Sequence, residues 1–383
     1  MLLFSTVLFA LLFARVVWPL PLGVAWRLGL GAILAFAAFK FQLTRLLGGP
    51  MFFAPQLPAW LQLLLCWLYA IVFLLFFLVA LSELAQLFPW MCGHRVPARA
   101  HGIINAALVA AALVLATWGI IRGNATPRLH RVTLEFDNLP EKADGMTIAF
   151  LADIHADVVT RSPRVEKMAA LANGQNADLV VLVGDFVDGR VGKVASELES
   201  LRTLSAPLGV FGVPGNHEYY SGFDEWMEQL RSLGITMLQN ESVVLGNGVI
   251  LAGVTDPASR HVGGEPPDVR KALAGTHADS FKILLAHQPS LAAEAASEGV
   301  DLQLSGHTHG GMIFGIDRLV GFFNDGFYSG LYNVGERMRL YVTNGTGIWN
   351  GFPVRIGREA EVILLQLKRT PVRQHPNNRL SRR

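Results

Sequence analysis

The stretch Gly306-His307-Thr308-His309-Gly310-Gly311 places two imidazoles one residue apart inside a glycine-rich turn. It follows a mainly apolar run, residues 300–304, that is typical of a strand. Neighbouring side chains on a strand point to opposite faces, but glycine relaxes the backbone, so both rings can turn toward one cavity. A surface turn that happens to hold two histidines is the alternative, and the rest of the chain decides between the two.

Four more polar clusters follow strand-like apolar runs in the same half of the chain. They are Asp153-Ile154-His155 after residues 146–152, Gly184-Asp185-Phe186-Val187-Asp188 after residues 179–183, Pro214-Gly215-Asn216-His217-Glu218 after residues 208–213, and His287 after residues 281–286. We expect helices over residues 162–171, 194–204 and 223–233, short β segments over residues 235–254, and strands over residues 339–343 and 361–367. Alternating strands and helices indicate an α/β fold, in which ligands collect at the carboxyl ends of strands.

The polar residues of these clusters form a mixed oxygen and nitrogen donor set. The candidate ligands are Asp153, His155, Asp185, Asn216, His287, His307 and His309. Such donors suit Mn, Fe or Zn better than a soft metal, and two metals about 3.5–4 Å apart would use all of them. Taken singly, each Asp would serve as a helix cap and the Asn as a turn residue; their joint occurrence in one ordered series favours the metal site.

The five clusters, in this order, resemble the motifs of the calcineurin-like metallophosphoesterase superfamily, and the resemblance covers residues 146–367. The matches are Asp-x-His at 153–155, Gly-Asp-x-x-Asp at 184–188, Gly-Asn-His-Glu at 215–218, the isolated His287, and Gly-His-x-His at 306–309. Residues 345–355 look like the membrane-associated or exported bacterial branch. Met312 and Asn344 depart from that branch, which often has Gln and Arg there, so the resemblance implies no particular substrate.

The resemblance implies a four-layer α/β/β/α metallophosphoesterase sandwich with a dinuclear site at one edge. Asp153, His155 and His309 would hold one metal, Asn216, His287 and His307 the other, and Asp185 would bridge them. The two metals would activate a hydroxide for in-line attack on phosphorus. His217 would donate a proton or hydrogen bond to the leaving oxygen, and Asp188 would orient its imidazole.

The first third of the chain has a different composition. The 383 residues are 51% hydrophobic and 16% charged, against about 25% charged in an ordinary soluble protein, and the apolar excess lies before residue 122. Residues 60–82 and 102–121 carry no charge and are long enough to cross a bilayer as helices. Residues 1–45 are interrupted by Arg15 and Arg27, and we expect two further spans there. A signal peptide is the alternative, but no basic stretch precedes the apolar run.

These patterns predict an N-terminal helical transmembrane region at residues 1–122 with four helices. A linker with the first strand follows at 123–145, then the metallophosphoesterase domain at 146–367 and a basic, disordered tail at 368–383. The net charge of +2 is too small to indicate nucleic acid as a partner. The two cysteines, Cys66 and Cys92, suggest no disulfide framework.

The expected function is hydrolysis of a phosphomonoester or phosphodiester by a multi-pass protein of the bacterial inner membrane. Its partners would be the lipid bilayer and a phosphoester substrate, either soluble or lipid-borne. A pyrophosphatase for lipid-linked diphosphates is one alternative, and an idle, metal-stabilised membrane scaffold is another, although intact His217 and Asp188 argue against idleness. Transport is disfavoured because residues 60–82 and 102–121 lack ionisable groups. Loop charges are nearly balanced and favour neither side of the membrane, and no pattern indicates an oligomeric state.

One segment of the soluble half, residues 314–332, is unusually apolar and contains glycines at 315, 321, 326 and 330. That glycine density argues against a regular helix. An apolar segment must be buried or must meet a partner. We therefore expect either core packing or a rim of Phe322, Phe323, Phe327 and Tyr328 beside the metals and facing the bilayer.

Overall fold

The computed structural model describes residues 1–48, 57–94 and 96–370. Its strands are β1 (Arg128–Phe136), β2 (Thr147–Leu151), β3 (Leu179–Val183), β4 (Val210–Val213), β5 (Thr236–Met237), β6 (Glu241–Val244), β7 (Ile250–Gly253), β8 (Lys282–Leu285), β9 (Leu302–Ser305), β10 (Gly330–Val334), β11 (Met338–Val342) and β12 (Glu361–Arg369). Its helices are α1 (Leu2–Leu12), α2 (Val24–Ala38), α3 (Lys40–Gly48), α4 (Ala59–Met91), α5 (Ala98–Gly123), α6 (Ser162–Asn173), α7 (Val191–Val194), α8 (Asn216–Ser221), α9 (Phe223–Ser232), α10 (Val269–Ala272), α11 (Ala292–Ser297) and α12 (Asp317–Phe322).

The strands form two six-stranded mixed sheets. The first has the order β1-β12-β2-β3-β4-β5, in which only β12 and β2 pair antiparallel. The second has the order β10-β11-β9-β8-β7-β6, in which the two outermost pairs are antiparallel and the rest parallel. Because β2, β3 and β4 run parallel in one sheet and β8 and β9 in the other, their carboxyl ends can share one edge of the molecule.

The two sheets pack face to face over the main apolar core. Phe150 and Val181 of the first sheet meet Ile283 and Leu304 of the second in this core. The outer face of the first sheet is covered by α6 and α9, and that of the second by α10 and α11. Strand β3 is buried along its whole length, as expected for a strand covered on both faces. The predicted four-layer α/β/β/α sandwich is confirmed.

The predicted helix at residues 194–204 is wrong in type. The short helix α7 ends at Val194, and a 3₁₀ helix, Ala195–Thr203, replaces the rest. The buried leucines of this segment, Leu198, Leu201 and Leu204, recur every three residues. That spacing matches the three-residue turn of a 3₁₀ helix, which places side chains i and i+3 on one line.

The glycine-rich segment 314–332 also differs from expectation, because it contains α12 and leads into β10. Asp317 is the first residue of this helix, and its Oδ1 accepts hydrogen bonds from the backbone N–H groups of Gly315 (3.2 Å) and Arg318 (2.9 Å). Burial of the whole segment is wrong as well, since Phe322 and Phe323 are 78% and 76% exposed.

In the N-terminal region, α4 and α5 are each long and apolar enough to cross a membrane. Helices α2 and α3 would together make a third span, but they are bent by 68° relative to each other. The apolar stretch Leu2–Val17, which is α1 followed by a π-helical turn, is shorter. Four spans therefore stay a prediction. Most of the predicted tail, residues 371–383, lies outside the described residues.

The apolar helices contact the sandwich through residues 349–356, a contact we call the membrane junction. Lys40 Nζ donates to the carbonyl oxygen of Gly351 at 2.6 Å, and Gln62 Nε2 donates to that of Asn350 at 3.2 Å. The Arg355 backbone N–H donates to the carbonyl oxygen of Gly119 in α5 at 2.9 Å. The junction thus links three N-terminal helices, α3, α4 and α5, to one loop of the sandwich. Cys66 and Cys92 are both free, as predicted.

Candidate metal centre

The five strand-end clusters converge at one edge of the sandwich. Three overlapping groups of acidic and imidazole side chains have ligand atoms within 4.8 Å of one another: Asp153 with His155 and His309, His155 with Asp185 and His217, and Asp185 with His287 and His307. Asn216 joins them, since its Oδ1 lies 2.9 Å from Nδ1 of His307. The structure therefore brings together all seven predicted ligands and His217.

Asp185 lies between two halves of this cluster. Its Oδ2 is 3.6 Å from Nε2 of His155 on one side and 3.1 Å from Nε2 of His287 on the other. In the first half, Nε2 of His155 lies 3.0 Å from Nε2 of His309, which is itself 3.7 Å from Oδ1 of Asp153. One carboxylate is thus shared by two groups of donors.

Five of these residues have left-handed backbone, which non-glycine residues seldom adopt. The φ angles are 55° at Asp153, 48° at His155, 53° at Asp185, 71° at His307 and 50° at His309. Each residue turns the chain sharply after a strand and so aims its side chain into the shared crevice. A left-handed conformation at such a residue costs on the order of 1–3 kcal/mol, and it persists where surrounding contacts stabilise it.

Backbone hydrogen bonds between the strand-end loops supply part of that support. The N–H of Asp153 donates to the carbonyl oxygen of Gly184, and the N–H of His155 donates to that of Asp185, each at 3.0 Å. The glycines of the motifs allow this close packing. A side chain at Gly184 would collide with the His287 ring, and one at Gly215 would collide with the Asp185 carboxylate.

Glu218, which the sequence offered only as part of a motif, holds two of these loops together. Its buried carboxylate accepts hydrogen bonds from the backbone N–H groups of Asp185 (3.0 Å), Phe186 (2.8 Å) and Gly215 (2.7 Å). The loops after β3 and β4 are therefore fixed to each other by one side chain. The sequence shows a carboxylate next to the candidate site residues Asn216 and His217, but it does not show that this carboxylate is buried or which groups it binds.

Asp188 contacts two imidazoles. Its Oδ1 is hydrogen-bonded to Nδ1 of His217, as predicted, and its Oδ2 lies 3.1 Å from Nδ1 of His155. The second contact was not anticipated. A carboxylate on the outer nitrogen of an imidazole fixes the ring and makes its other nitrogen more basic. Asp188 therefore orients both rings with Nε2 toward Asp185, at 3.6 Å for His155 and 3.8 Å for His217.

Arg355 is a second supporting residue that the sequence analysis did not assign. The side chain is buried, and its Nη2 donates to the carbonyl oxygens of Asn344 (2.6 Å) and Gly347 (2.8 Å). The same nitrogen lies 3.4 Å from Nδ1 of His309. Arg355 thereby connects the loop that follows β11 to one of the candidate ligands.

Burial controls the charge of the two histidines in the opening motif. It lowers the pKa of His307 to about 3, and the nearby His287 adds to this effect. Burial and the adjacent His155 hold the pKa of His309 well below its ordinary value. Both rings are therefore neutral near pH 7, the state in which imidazole can bind a metal.

The Asp185 carboxylate stays ionised. Burial would raise the pKa of Asp185, but the imidazoles of His287 and His217 outweigh it and hold this pKa well below its ordinary value. Burial would lower the pKa of His217, but Asp185 and Asp188 outweigh it and raise the value to about 9. The centre therefore combines a carboxylate anion with a proton-bearing imidazole beside it.

The donor set fits divalent metal ions. Oδ2 of Asp153 is buried and accepts no hydrogen bond from any residue that the structure describes. An unpaired buried carboxylate oxygen is costly unless a cation meets it. Imidazoles, carboxylates and one amide oxygen together suit metals of intermediate softness.

Comparison with known proteins agrees with this geometry. The sequence profile of calcineurin-like phosphoesterases matches residues 146–311. The "Transmembrane protein with metallophosphoesterase domain" of Danio rerio is 34% identical over 327 residues, which span 81% of this chain and 74% of that protein. Its namesake from Bos taurus is 33% identical over 79% of this chain and 72% of that protein.

A bacterial relative shows the same likeness. An "Uncharacterized metallophosphoesterase" of Helicobacter pylori (strain ATCC 700392 / 26695) is 36% identical over 65% of this chain and 66% of its own length. The matches include relatives named as transmembrane proteins, and this chain has two apolar helices long enough to cross a membrane. The chain belongs to the calcineurin-like metallophosphoesterase family, whose members bind two divalent metal ions, and it joins that domain to apolar N-terminal helices.

Proposed function

We propose that this protein hydrolyses phosphoesters at a membrane surface with two divalent metal ions. Asp153, His155 and His309 would hold one ion, Asn216, His287 and His307 the other, and Asp185 would bridge them. The single observation that carries the proposal is the position of Asp185, whose Oδ2 lies between Nε2 of His155 and Nε2 of His287. When bound, such a pair of ions lowers the pKa of a nucleophilic water and stabilises charge on the phosphate.

His217 is the proposed proton donor. With Nδ1 held by Asp188, its Nε2 lies 3.8 Å from Oδ2 of Asp185 and so faces the carboxylate that would hold both ions. In the hydrolysis, the oxygen of water joins phosphorus, the bond from phosphorus to the leaving oxygen breaks, and that oxygen takes a proton. The imidazole of His217 supplies this proton and afterwards recovers one from water.

The membrane junction supports action at a membrane. Lys40 and Gln62 of the apolar helices bind the loop at residues 350–351, and the neighbouring Trp349 has its ring centroid 6.4 Å from that of His217. The catalytic edge therefore adjoins the apolar helices. We propose the bacterial inner membrane as the location and Mn²⁺ as the first metal to test.

The test uses the purified full chain in detergent with 4-nitrophenyl phosphate and bis(4-nitrophenyl) phosphate. We expect Mn²⁺-dependent release of nitrophenol from at least one ester, loss of release after chelation, and recovery when Mn²⁺ is restored. The matched control for variants of the centre is Asp279→Asn, which changes an exposed carboxylate far along the chain. A metal-loaded, folded protein that cleaves neither ester would favour the idle scaffold and contradict the proposal.

A further inference from the structure

An apolar cavity of about 370 Å³ lies at the membrane junction, outside the metal centre. This volume falls in the ~300–1,000 Å³ range of small-molecule pockets. Both parts of the protein line it: the apolar helices with Phe41, Tyr69 and Phe73, and the sandwich with Ile316, Val320 and Trp349. Since nearly all of its walls are hydrocarbon or aromatic, the cavity selects an apolar occupant.

Two of its walls are shared with the metal centre. Gly311 lines the cavity and ends the turn that carries His309. Trp349 lines the cavity and also contacts His217, with the ring centroids 6.4 Å apart. A molecule whose apolar part occupies the cavity would therefore have its polar end beside the catalytic edge.

The segment that walls the cavity also exposes large apolar side chains. Phe314, Phe322 and Phe323 are 73%, 78% and 76% exposed, and they flank Ile316 and Val320 in sequence. The segment is held in place, because the buried Asp317 carboxylate pairs with Arg358. Aromatic side chains favour the interface between bilayer and water. The apolar helices also pack against Ile313 and Ile316 of this segment, so the exposed aromatic side chains lie close to those helices in the chain's fold.

We propose that this cavity binds one hydrocarbon chain of a lipid-borne phosphoester while the phosphate reaches the metal centre, an inference that rests on the proposed hydrolysis. The aromatic side chains of α12 and its flanks then lie at the bilayer surface. They give the hydrocarbon chain of the substrate an apolar path from the bilayer to the cavity, so that this chain does not cross water. The occupant is a hydrocarbon chain rather than a protein segment because Tyr69 and Phe73 on one side of the cavity belong to α4, a helix long and apolar enough to cross a membrane.

The test measures kcat/KM for matched esters that differ only in chain length. Alkyl 4-nitrophenyl phosphates and n-alkyl phosphates, from methyl to decyl, are assayed with the full chain below their micelle concentrations. We expect kcat/KM to rise with chain length, by up to about fourfold per methylene, which corresponds to about 0.8 kcal/mol per buried CH₂. The rise should stop when the cavity is full.

Filling the cavity should remove this dependence. Ile316→Trp or Val320→Trp should flatten the series and leave the methyl ester within about twofold of wild type. Leu319→Trp is the matched control, because Leu319 belongs to the same helix but is 52% exposed and does not line the cavity. Two filling variants are used, and the melting temperature of each shows whether it folds.

The outcomes separate the inference from the proposed function. If the wild type cleaves the methyl ester well but its kcat/KM does not change with alkyl chain length, lipid binding is overturned and the proposed hydrolysis stands. If both filling variants lose kcat/KM equally on the methyl and decyl esters, the cavity serves only structural packing, and the inference is again overturned. Absence of cleavage for every ester would overturn the proposed function and the inference together.

Discussion

The metal centre and the membrane junction are both buried and both contain polar groups, but they are built differently. In the metal centre, the candidate ligands contact one another through their side chains, and each of them follows a strand. At the junction, Lys40 and Gln62 donate to backbone carbonyl oxygens of residues far away in the chain. The junction is also held by packing of aromatic rings, such as the stacked pair of Phe41 and Trp349, whose centroids are 5.9 Å apart.

This difference predicts how each region responds to substitution. Removing one donor from the metal centre leaves several charged groups without their common partner, so function should be lost while the fold survives. Removing one donor from the junction leaves a buried carbonyl oxygen with one hydrogen bond fewer, so stability should fall while the chemistry survives.

Asp185→Asn should reduce hydrolysis to the level measured without enzyme. A neutral amide cannot bridge two cations as a carboxylate can. Steady-state assays with 4-nitrophenyl esters measure the loss, and Asp279→Asn should retain wild-type rates. Near-wild-type turnover with two metals bound would remove Asp185 from its bridging role.

His217→Ala should lower kcat by roughly 10²–10⁴-fold, as expected for loss of a general acid, while the metal content stays nearly intact. His277→Ala, which changes an exposed histidine of the sandwich, is the control. Elemental analysis accompanies the kinetics. Loss of a metal from the His217 variant would make this residue a ligand and refute its assignment as proton donor.

Asp188→Asn should cost about 10–100-fold in activity or metal affinity, the range typical for partners of metal-binding imidazoles. The structural reason is that Asp188 contacts both His217 and His155. Metal titration and kinetics should therefore change together in this variant, whereas His217→Ala changes kinetics alone. An Asp188 variant with wild-type metal affinity would limit its role to His217.

Lys40→Met should lower the melting temperature in detergent and leave kcat on the soluble methyl ester within about twofold. The lost hydrogen bond leaves the buried carbonyl oxygen of Gly351 without this donor, at a cost of about 1–3 kcal/mol. Arg45→Met is the control, since Arg45 lies in the same helix but is exposed. A large fall in kcat without a fall in melting temperature would mean that the junction takes part in catalysis.

The fold was largely predictable because its strands are short apolar runs that end at polar residues. Strand β3 has the predicted bounds, and helices α6 and α9 begin at the predicted residues. The convergence of the strand ends followed from the parallel arrangement that α/β sheets adopt. The 3₁₀ helix Ala195–Thr203 was missed because a repeat of three and a repeat of 3.6 differ little over so short a segment.

The supporting residues were not predictable, because their partners are backbone groups of distant loops. Glu218 and Arg355 are ordinary charged residues in the sequence, and only the tertiary structure shows that both are buried around the centre. The left-handed backbone at Asp153 or His309 also leaves no local pattern, since neither residue requires it. Helix α12 was missed because it is short and, of the four glycines of the segment, contains only Gly321.

The decisive quantity for a two-metal site is the number of divalent metal ions bound per chain. It can be measured by elemental mass spectrometry on the full chain after loading with Mn²⁺ and removal of free metal, in parallel with Asp185→Asn and Asp279→Asn. We expect two ions per chain for the wild type and for Asp279→Asn, and at most one for Asp185→Asn. A wild-type protein that is active with a single ion, or an Asp185→Asn variant that keeps two, would contradict the two-metal site.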